Sequence, residues 1–403
     1  MPNPHTAEAI ALMLGFAQRT GLDSDRPQRR YLWTDAFAVC NFLGLARATG
    51  EKRYTDLALC LVHQVHQTLG KHRGDDPRVG WISGLSAHEG ERHPTRGGLR
   101  IGKSLPERGA GESFDERLEW ERDGQYFHYL TKWMHALDQV SRSTGDSWFN
   151  IWARELAQSA HDAFTYLPTA RTPRMYWKMS IDLTRALVPS MGQHDPLDGY
   201  ITCEQLGDTA AGLPQPVGGP TLEDATSRFA AMTGGIEWAS SDPLGIGGLL
   251  VDAYRVAQLN REWALPEEGL FERLLTAAQA GLQYYSGSGE LETVAEHRLA
   301  FRELGLAIGL SAVQHIWQAV TQSQAAASPA ARARLQALMR YVPLGEEIES
   351  FWREAEHQRT RTWSEHRDIN EVMLATRLAP DGFLVLIPST GPVSSAADAQ
   401  PKD

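Results

Sequence analysis

The spacing of apolar residues along this chain is mainly helical. In residues 6–20, apolar side chains recur every three or four positions after Thr6. Threonine is a residue type that often caps the start of a helix. The same period predicts further helices over 34–48, 54–69, 181–191, 221–233, 245–259, 268–285, 296–323, 329–341, 346–358 and 366–377. Only Phe383–Ile387 has the composition of a short strand. The pattern therefore predicts an all-α protein.

One type of helix-to-helix corner occurs twice in the chain. Residues 47–55 and 142–150 each contain a Thr-Gly pair, then an acidic residue, and three residues after that acid an aromatic one. Glycine suits the end of one helix, and an acid suits the start of the next. Because such a corner turns the chain back on itself, the repeat indicates stacked helical hairpins. With the helices above, it predicts about twelve helices in six pairs.

Long loops separate some of these helices. Residues 71–115 are rich in glycine and have almost no helical period, and residues 192–220 are rich in proline and glycine. Loops of this length inside a compact domain are usually functional or disordered. We expect one domain over residues 1–387 and a disordered, Ser-, Ala- and Pro-rich tail over 388–403.

Charge and composition exclude several classes of partner. The net charge of −11 argues against nucleic acid, which needs a concentrated basic face, but leaves an anionic small substrate open. The chain contains no run of 18 apolar residues, which a membrane span would need. Its first residues lack the basic region of a signal peptide, so we expect a cytoplasmic protein. The three cysteines form no CxxC pair, and the histidines at 72, 88 and 93 fit no zinc spacing. We therefore expect no metal and no cofactor.

Six polar clusters lie where predicted helices begin. They are Trp33-Thr34-Asp35, Arg122-Asp123-Gly124-Gln125, His194-Asp195-Pro196-Leu197-Asp198-Gly199, Glu237-Trp238 with Asp242, His297-Arg298 with Glu303, and Glu365-His366-Arg367-Asp368. If alternate helices form an inner ring, all six clusters fall at one rim of that ring. Such a rim would form a pocket for a polar small molecule or sugar.

The hairpin corners at 49–54 and 144–149, together with Trp33 and Asp35 at a helix start, carry a family resemblance. Over residues 6–380 the chain resembles the six-hairpin glycosidase superfamily of (α/α)6 toroids. That superfamily includes unsaturated glucuronyl hydrolases, glucoamylases and the N-acylglucosamine 2-epimerase group. The resemblance implies an (α/α)6 toroid of six helical hairpins with long rim loops, and a carbohydrate pocket, without fixing the reaction.

A glycosidase needs one carboxylic acid to protonate the leaving oxygen and a second carboxylate to activate water or attack. Asp123 is the first candidate, because Gly124 would let a ligand approach the backbone. In the glucuronyl hydrolases that the chain resembles, an aspartate of the second inner helix is catalytic, and Asp123 occupies that hairpin. Asp195, beside His194 in a loop framed by glycine and proline, is the second candidate. Each acid could instead serve a helix end or a turn.

The remaining cluster residues supply the predicted contacts to a small carbohydrate. The expected substrate-binding residues are Trp33, Asp35, Gln125, Tyr126, His194, Glu237, Trp238, His297, Arg298 and His366. The aromatic members among them offer faces for stacking on sugar rings. Asp242, which precedes Pro243, is expected to cap the next helix instead. A basic, glycine-rich loop at 93–103 could clamp a carboxylate or phosphate.

Glycoside hydrolysis is the favoured function, and two alternatives stay open. His297 and His366 both lie in Glu-His-Arg triplets, so the pair could exchange a proton next to a carbonyl group, as in a sugar epimerase or isomerase. The chain could also be a non-catalytic α-toroid that binds a partner through its rim.

Overall fold

The helical prediction holds for most of the described residues, but residues 181–191 form no helix, and residues 192–220, expected to be a loop, contain the helix Asp195–Gly212. A computed structural model describes residues 3–168, 172–214, 218–259, 269–322 and 328–386. In chain order its helices are α1 (Pro4–Arg19), α2 (Leu32–Thr49), α3 (Lys52–Leu69), α4 (Ala87–Arg92), α5 (Glu116–Glu121), α6 (Phe127–Thr144), α7 (Ser147–Phe164), α8 (Asp195–Gly212), α9 (Glu223–Thr233), α10 (Pro243–Leu259), α11 (Leu270–Gly287), α12 (Ala300–Gln322), α13 (Pro329–Leu338), α14 (Val342–Arg353), α15 (Arg361–Glu365), α16 (Arg367–Leu378) and α17 (Asp381–Leu384). Short 3₁₀ turns lie at Glu290–Glu292, Ala295–His297, Met339–Tyr341 and His357–Arg359.

Six of these helices form a closed inner ring within the described ranges. Around the ring, α2 packs on α6, followed by α8, α10, α12 and α16, and α16 returns to α2. Each inner helix also packs on an outer one, which gives the pairs α2–α3, α6–α7, α8–α9, α10–α11, α12–α14 and α16–α1. This is the predicted (α/α)6 toroid of six hairpins. None of the described helices is long and apolar enough to cross a membrane.

The two repeated corners end their helices as the sequence predicts. Gly50 and Gly145 have φ values of 72° and 74°, the left-handed conformation that glycine adopts without steric penalty. After the second corner, the Asp146 carboxylate accepts a hydrogen bond from the Trp148 backbone at 2.9 Å and caps α7. The corners therefore reverse the chain between an inner and an outer helix.

The described residues contain five short strands, and the last of them replaces the helix predicted over 181–191. They are β1 (Gln125–Tyr126), β2 (Thr165–Tyr166), β3 (Arg174–Met175), β4 (Lys178–Met179) and β5 (Ala186–Val188). β4 pairs antiparallel with both β1 and β5, and β2 pairs with β3. The predicted helix is therefore wrong. Asp182 holds a tight turn through hydrogen bonds from the Ser180 and Thr184 hydroxyls, which leaves β5 free to return along β4.

The last described segment closes the base of the ring, opposite the N-terminal ends of the inner helices. The predicted strand at Phe383–Ile387 is wrong for its described part, because Phe383 and Leu384 belong to the helical turn α17. Buried His135 and Gln139 of α6 bond the carbonyl groups of Phe383 and Gly382 at 2.9 and 3.0 Å. We call residues 380–386 the plug. Ile387 and the predicted tail over 388–403 lie outside the described residues.

The plug packs against α2 without room for a side chain at Gly382. A Cβ atom there would collide with the Cys40 carbonyl oxygen and lie 2.9 Å from the Gly44 Cα atom. We expect Gly382→Ala to lower the free energy of unfolding by about 1–3 kcal/mol, because backbone atoms of a helix cannot move aside cheaply. Urea denaturation measures the change. Gly74→Ala, at an exposed position with open space, is the control, and equal stability of the two variants would contradict this packing.

Candidate active site

A cavity of about 1110 Å³ opens at the rim where the inner helices begin. Every inner helix contributes residues to its wall, mostly from the first two turns. These residues include Trp33 and Asp35 of α2, His128, Tyr129 and Lys132 of α6, Asp195 and Asp198 of α8, Val251 and Asp252 of α10, Phe301 and Arg302 of α12, and Arg367 and Asp368 of α16. Phe383 of the plug lies at its floor and stacks on Phe37 with ring centroids 4.2 Å apart. The toroid is therefore a pocket with one open end.

Asp195 is the acid in this cavity that is best suited to hold a proton. It is the first residue of α8 and is 5% exposed, and its Oδ2 atom has no hydrogen-bond partner among the described residues. Burial, aided by the charge of Asp198, raises the pKa of Asp195 to about 7. Gly192 leaves the space that this carboxyl group occupies, since a Cβ atom there would collide with it. Asp195 can therefore serve as an acid near neutral pH.

Asp198, one helical turn further along α8, is held as an anion. Its Oδ2 atom accepts hydrogen bonds from Lys132 Nζ at 2.7 Å and Thr131 Oγ1 at 2.5 Å, and its Oδ1 atom lies 3.2 Å from Arg255. Burial alone would raise the pKa of Asp198, but Lys132 and Arg255 outweigh burial and bring it well below its usual range. Its fixed charge in turn favours the protonated form of Asp195.

Asp252 of α10 is a third carboxyl group in the cavity wall. Arg255 donates a hydrogen bond to its Oδ1 atom at 3.1 Å, and its other oxygen has no hydrogen bond within the described part of the chain. Burial and the charge of Asp198 raise the pKa of Asp252, while Arg255 opposes the shift. Asp252 thus combines a free oxygen with moderate basicity, which a carboxylate needs in order to accept a proton or attack.

Four of the predicted contact residues line this cavity: Trp33, Asp35, His194 and His366. Burial raises the pKa of Asp35 to about 6, although Arg30 lies 3.4 Å from its carboxylate. His194 is fixed by the Trp238 carbonyl oxygen, 2.8 Å from its Nε2 atom, and burial lowers its pKa. These four residues therefore lie together in one cavity wall, and their contact with a substrate stays a prediction.

Asp123, the first predicted catalytic residue, does not reach the cavity. It is 0% exposed and lies 2.9 Å from Arg100 and 3.3 Å from Arg73. Its other oxygen accepts hydrogen bonds from the backbone of Gly102 at 2.9 Å and Gly124 at 3.1 Å. Because both oxygens are occupied inside the protein, its prediction as a pocket residue is wrong. Asp123 instead ties the long loop before α6 to the helical frame.

Gln125 and Tyr126, the residues that follow, are also internal. Gln125 is 0% exposed and bonds the backbone at Leu99, Gly97 and Ile181 through its amide group. Tyr126 is 2% exposed and lies behind His128 and Trp177, with ring centroids 5.3 and 5.5 Å away. Both residues belong to β1, which precedes the first turn of α6. Neither residue lines the cavity, so the structure does not support their predicted contact with substrate.

Glu237 and Trp238 lie upstream of the start of α10 and miss the cavity for that reason. Glu237 is exposed, and its carboxylate accepts a hydrogen bond from the Ala239 backbone at 3.0 Å. Trp238 is 3% exposed beneath Arg273, whose guanidinium lies 4.1 Å from the ring centroid. Asp242 caps α10 as predicted, with Oδ2 3.1 Å from the Gly245 nitrogen.

His297 and Arg298 also lie upstream of their inner helix, α12. His297 is exposed and does not line the cavity. Arg298 forms a bidentate ion pair with Glu303, with Nε 2.8 Å from Oε1 and Nη2 2.6 Å from Oε2. Its guanidinium carbon also lies 3.8 Å from the centroid of the Phe351 ring. The predicted pairing of His297 with His366 is therefore wrong: the first precedes α12 by three residues, whereas the second directly precedes α16.

The basic loop at 93–103 mostly pairs with internal carboxylates. His93 and Arg96 both contact Glu155, at 2.7 and 2.9 Å, and Arg100 pairs with Asp123. Lys103 alone among the four lines the cavity, with its ammonium group 5.6 Å from the Tyr31 ring centroid. The basic side chains of this loop therefore mainly fix its position through ion pairs within the protein.

Several cavity residues escaped the sequence analysis. His128, Tyr129 and Lys132 share one face of the first turns of α6, and burial lowers the pKa of His128 to about 4. Their spacing of one, three and four residues was the available signal. Trp177 lies between β3 and β4 and could not be placed from sequence alone. In the described ranges, no three His, Cys, Asp or Glu side chains are grouped so that they could hold a metal ion.

Comparison with solved structures confirms the toroid fold. A GH76 alpha-mannanase from Bacteroides thetaiotaomicron superposes with a TM-score of 0.53 at 9% identity, over 94% of this chain and 96% of the other. A cellobiose 2-epimerase from Spirochaeta thermophila gives 0.48 at 11% identity, and a D-mannose isomerase gives 0.49 at 11%, each over 94% of this chain and 99% of theirs. No protein-family model and no curated protein sequence matches the chain. The similarity therefore lies in the (α/α)6 architecture.

Proposed function

We propose that the protein is a glycoside hydrolase in which Asp195 is the general acid. The observation that carries the proposal is the buried, unpartnered Asp195 oxygen in a cavity wall, beside the ionised Asp198. Two neighbouring acids whose pKa values are pushed apart are the usual basis for separate acid and base roles. Asp195 donates its proton to the leaving oxygen as the glycosidic bond breaks.

Asp252 is the proposed second carboxylate. Its free oxygen either removes a proton from the attacking water or bonds to the sugar carbon directly. Asp198 stays ionised between Lys132 and Arg255, and its negative charge stabilises the positive charge that develops on the sugar ring. The pair Asp195 and Asp252 replaces the pair Asp123 and Asp195 expected from the sequence, because Asp123 lies outside the cavity.

The proposal is tested with a panel of glycosides that have no free reducing end. The panel contains methyl glycosides and the methyl glycosides of disaccharides of glucose, mannose, galactose, N-acetylglucosamine and glucuronate. New reducing ends, measured chemically and by proton NMR, are the expected result. α-Mannosides are included because the alpha-mannanase shares the fold. If the enzyme instead converts free sugars to ketoses or epimers and cleaves no glycoside, the proposal is wrong.

The epimerase alternative now depends on different histidines. His128 and His366 both line the cavity, and burial lowers the pKa of His128 to about 4, so that this imidazole is neutral near pH 7. Exchange of solvent deuterium into a free aldose would support this alternative. A non-catalytic toroid would bind sugars without any chemical change, and the same NMR samples would show that outcome.

The rate should depend on pH through Asp195. The acid acts while protonated and Asp252 acts while ionised, so kcat/KM should be highest between the pKa of Asp252, about 6, and that of Asp195, about 7, and fall on either side. We expect a fall of about tenfold per pH unit on the alkaline side. Initial rates between pH 5 and pH 9 check this prediction. A rate that stays constant up to pH 9 would contradict the assignment of Asp195.

A further inference from the structure

An exposed tryptophan extends the cavity wall outward. Trp120 lies in α5 and lines the cavity, yet 42% of it is exposed. It meets Trp177, a second cavity residue, with ring centroids 5.1 Å apart and the planes at 82°. Trp120 also lies 6.1 Å from the Tyr126 ring, with the planes at 39°, and part of Trp120 remains exposed beside these two rings. Trp148 is almost as exposed but lies away from the cavity, whereas Trp120 presents its apolar surface at the cavity wall, where a sugar can reach it.

Buried charges hold this tryptophan in place. A six-residue helix such as α5 is not stable alone. Lys178 is 0% exposed, and its ammonium group donates to the Glu119 carboxylate at 2.9 Å, the Glu119 carbonyl at 2.7 Å and the Arg122 carbonyl at 2.9 Å. Arg108 contacts the same carboxylate at 2.8 Å. A buried ion pair seldom adds stability, but it fixes one geometry when all its hydrogen bonds are made.

Polar groups stand beside the exposed ring. Glu121, the next residue in the chain, lines the cavity beside Trp120, and Lys103 lines it with its ammonium group 5.6 Å from the Tyr31 ring centroid; neither forms an ion pair with another described residue. A sugar ring needs this combination: an apolar surface for its C–H face and charged or polar groups for its hydroxyls. The cavity, at about 1110 Å³, also exceeds the space that one sugar ring requires.

We propose that Trp120 and Trp177 form an outer subsite that stacks on a second sugar ring of the substrate. The substrate is then a disaccharide or longer oligosaccharide, whose terminal ring lies near Asp195. The inference rests on the proposed glycoside hydrolysis and adds the substrate class. A rigid platform of this kind binds a sugar ring with little loss of side-chain entropy.

The test compares Trp120→Ala with the unaltered enzyme on two substrates. One is the methyl disaccharide that is cleaved fastest in the panel above, and the other is the methyl glycoside of its terminal sugar. We expect kcat/KM for the disaccharide to fall about tenfold, the effect of losing roughly 1.4 kcal/mol of stacking, and that for the monosaccharide to change less than twofold. Trp120→Phe should keep most of the activity.

Trp148→Ala is the matched control, since Trp148 is 40% exposed at an outer hairpin corner and does not line the cavity. Calorimetry with Asp195→Asn measures disaccharide binding without turnover, and Trp120→Ala in that background should weaken it tenfold. Equal effects on both substrates, or no effect, would overturn the outer subsite while hydrolysis stands. If no glycoside in the panel is cleaved, the proposed function fails, and this inference fails with it.

Discussion

Replacing Asp195 with asparagine is expected to lower kcat for a disaccharide by about 10²–10⁴-fold. The amide cannot donate a proton to the leaving oxygen, while its shape leaves the cavity unchanged. The loss should be far smaller for a 4-nitrophenyl glycoside of the same sugar, because nitrophenolate leaves without protonation. Steady-state rates on both substrates measure the difference. The fall in rate above pH 7 should also disappear in the variant.

Thermal unfolding separates this effect from damage to the fold. The pKa of Asp195 is raised from 3.8 in the unfolded chain to about 7 on folding, so the folded state holds the proton more tightly. Stability is therefore lost as pH rises from about 4 to about 7, and asparagine removes that loss. The quantity to compare is the free energy of unfolding of the variant minus that of the unaltered protein. We expect this difference to be on the order of 3 kcal/mol more favourable to the variant at pH 8 than at pH 4.

An exposed aspartate provides the control for this variant. Asp224 lies on outer helix α9, away from the cavity, and Asp224→Asn should change neither the rate nor its pH dependence. If Asp195→Asn slows both substrates equally, Asp195 is not the general acid. If Asp195→Asn unfolds the protein at pH 8, the carboxyl group of Asp195 stabilises the fold, although one of its oxygens has no hydrogen-bond partner among the described residues.

Replacing Asp123 with alanine is expected to lower the free energy of unfolding by about 3–5 kcal/mol. The change leaves Arg73 and Arg100 without their shared carboxylate and removes the acceptor for two backbone N–H groups. Urea denaturation measures the loss, and Asp224→Ala is the surface control. Turnover per folded molecule should stay near the unaltered value. A variant that is fully stable but inactive would instead support the catalytic role expected from the sequence.

Local sequence patterns predicted the frame of this fold because helices and their ends are encoded locally. The corners at Gly50 and Gly145 follow from glycine in the left-handed conformation. The helix expected over 181–191 failed because its apolar spacing also suits a short strand, and the choice depends on β5 pairing with β4, which in turn pairs with the distant β1. The plug was mistaken for a strand for a similar reason, since its backbone partners lie on α6 and α10.

The candidate site was harder to predict because it depends on where each inner helix begins. Residues within the first turns, such as Asp35 and Asp195, face the cavity, while Glu237 and His297 precede their helices by a few residues and turn away. An error of one helical turn therefore moved a cluster out of the pocket. His128 and Lys132 were not predicted, because they lie on α6 beyond the polar cluster at 122–125.

The sixth hairpin joins α16 to α1, helices from opposite ends of the described chain. Arg19 bonds Glu371 across 352 positions, and Asn41 donates to the Val372 carbonyl across 331. The other five hairpins join neighbouring segments and can form as each emerges from the ribosome. Ring closure must wait for α16, and until then the apolar edges of α1 and α2 have no partner. The slow step of folding should therefore be this final docking, and a nascent chain that stops before α16 would depend on chaperones to stay free of aggregation.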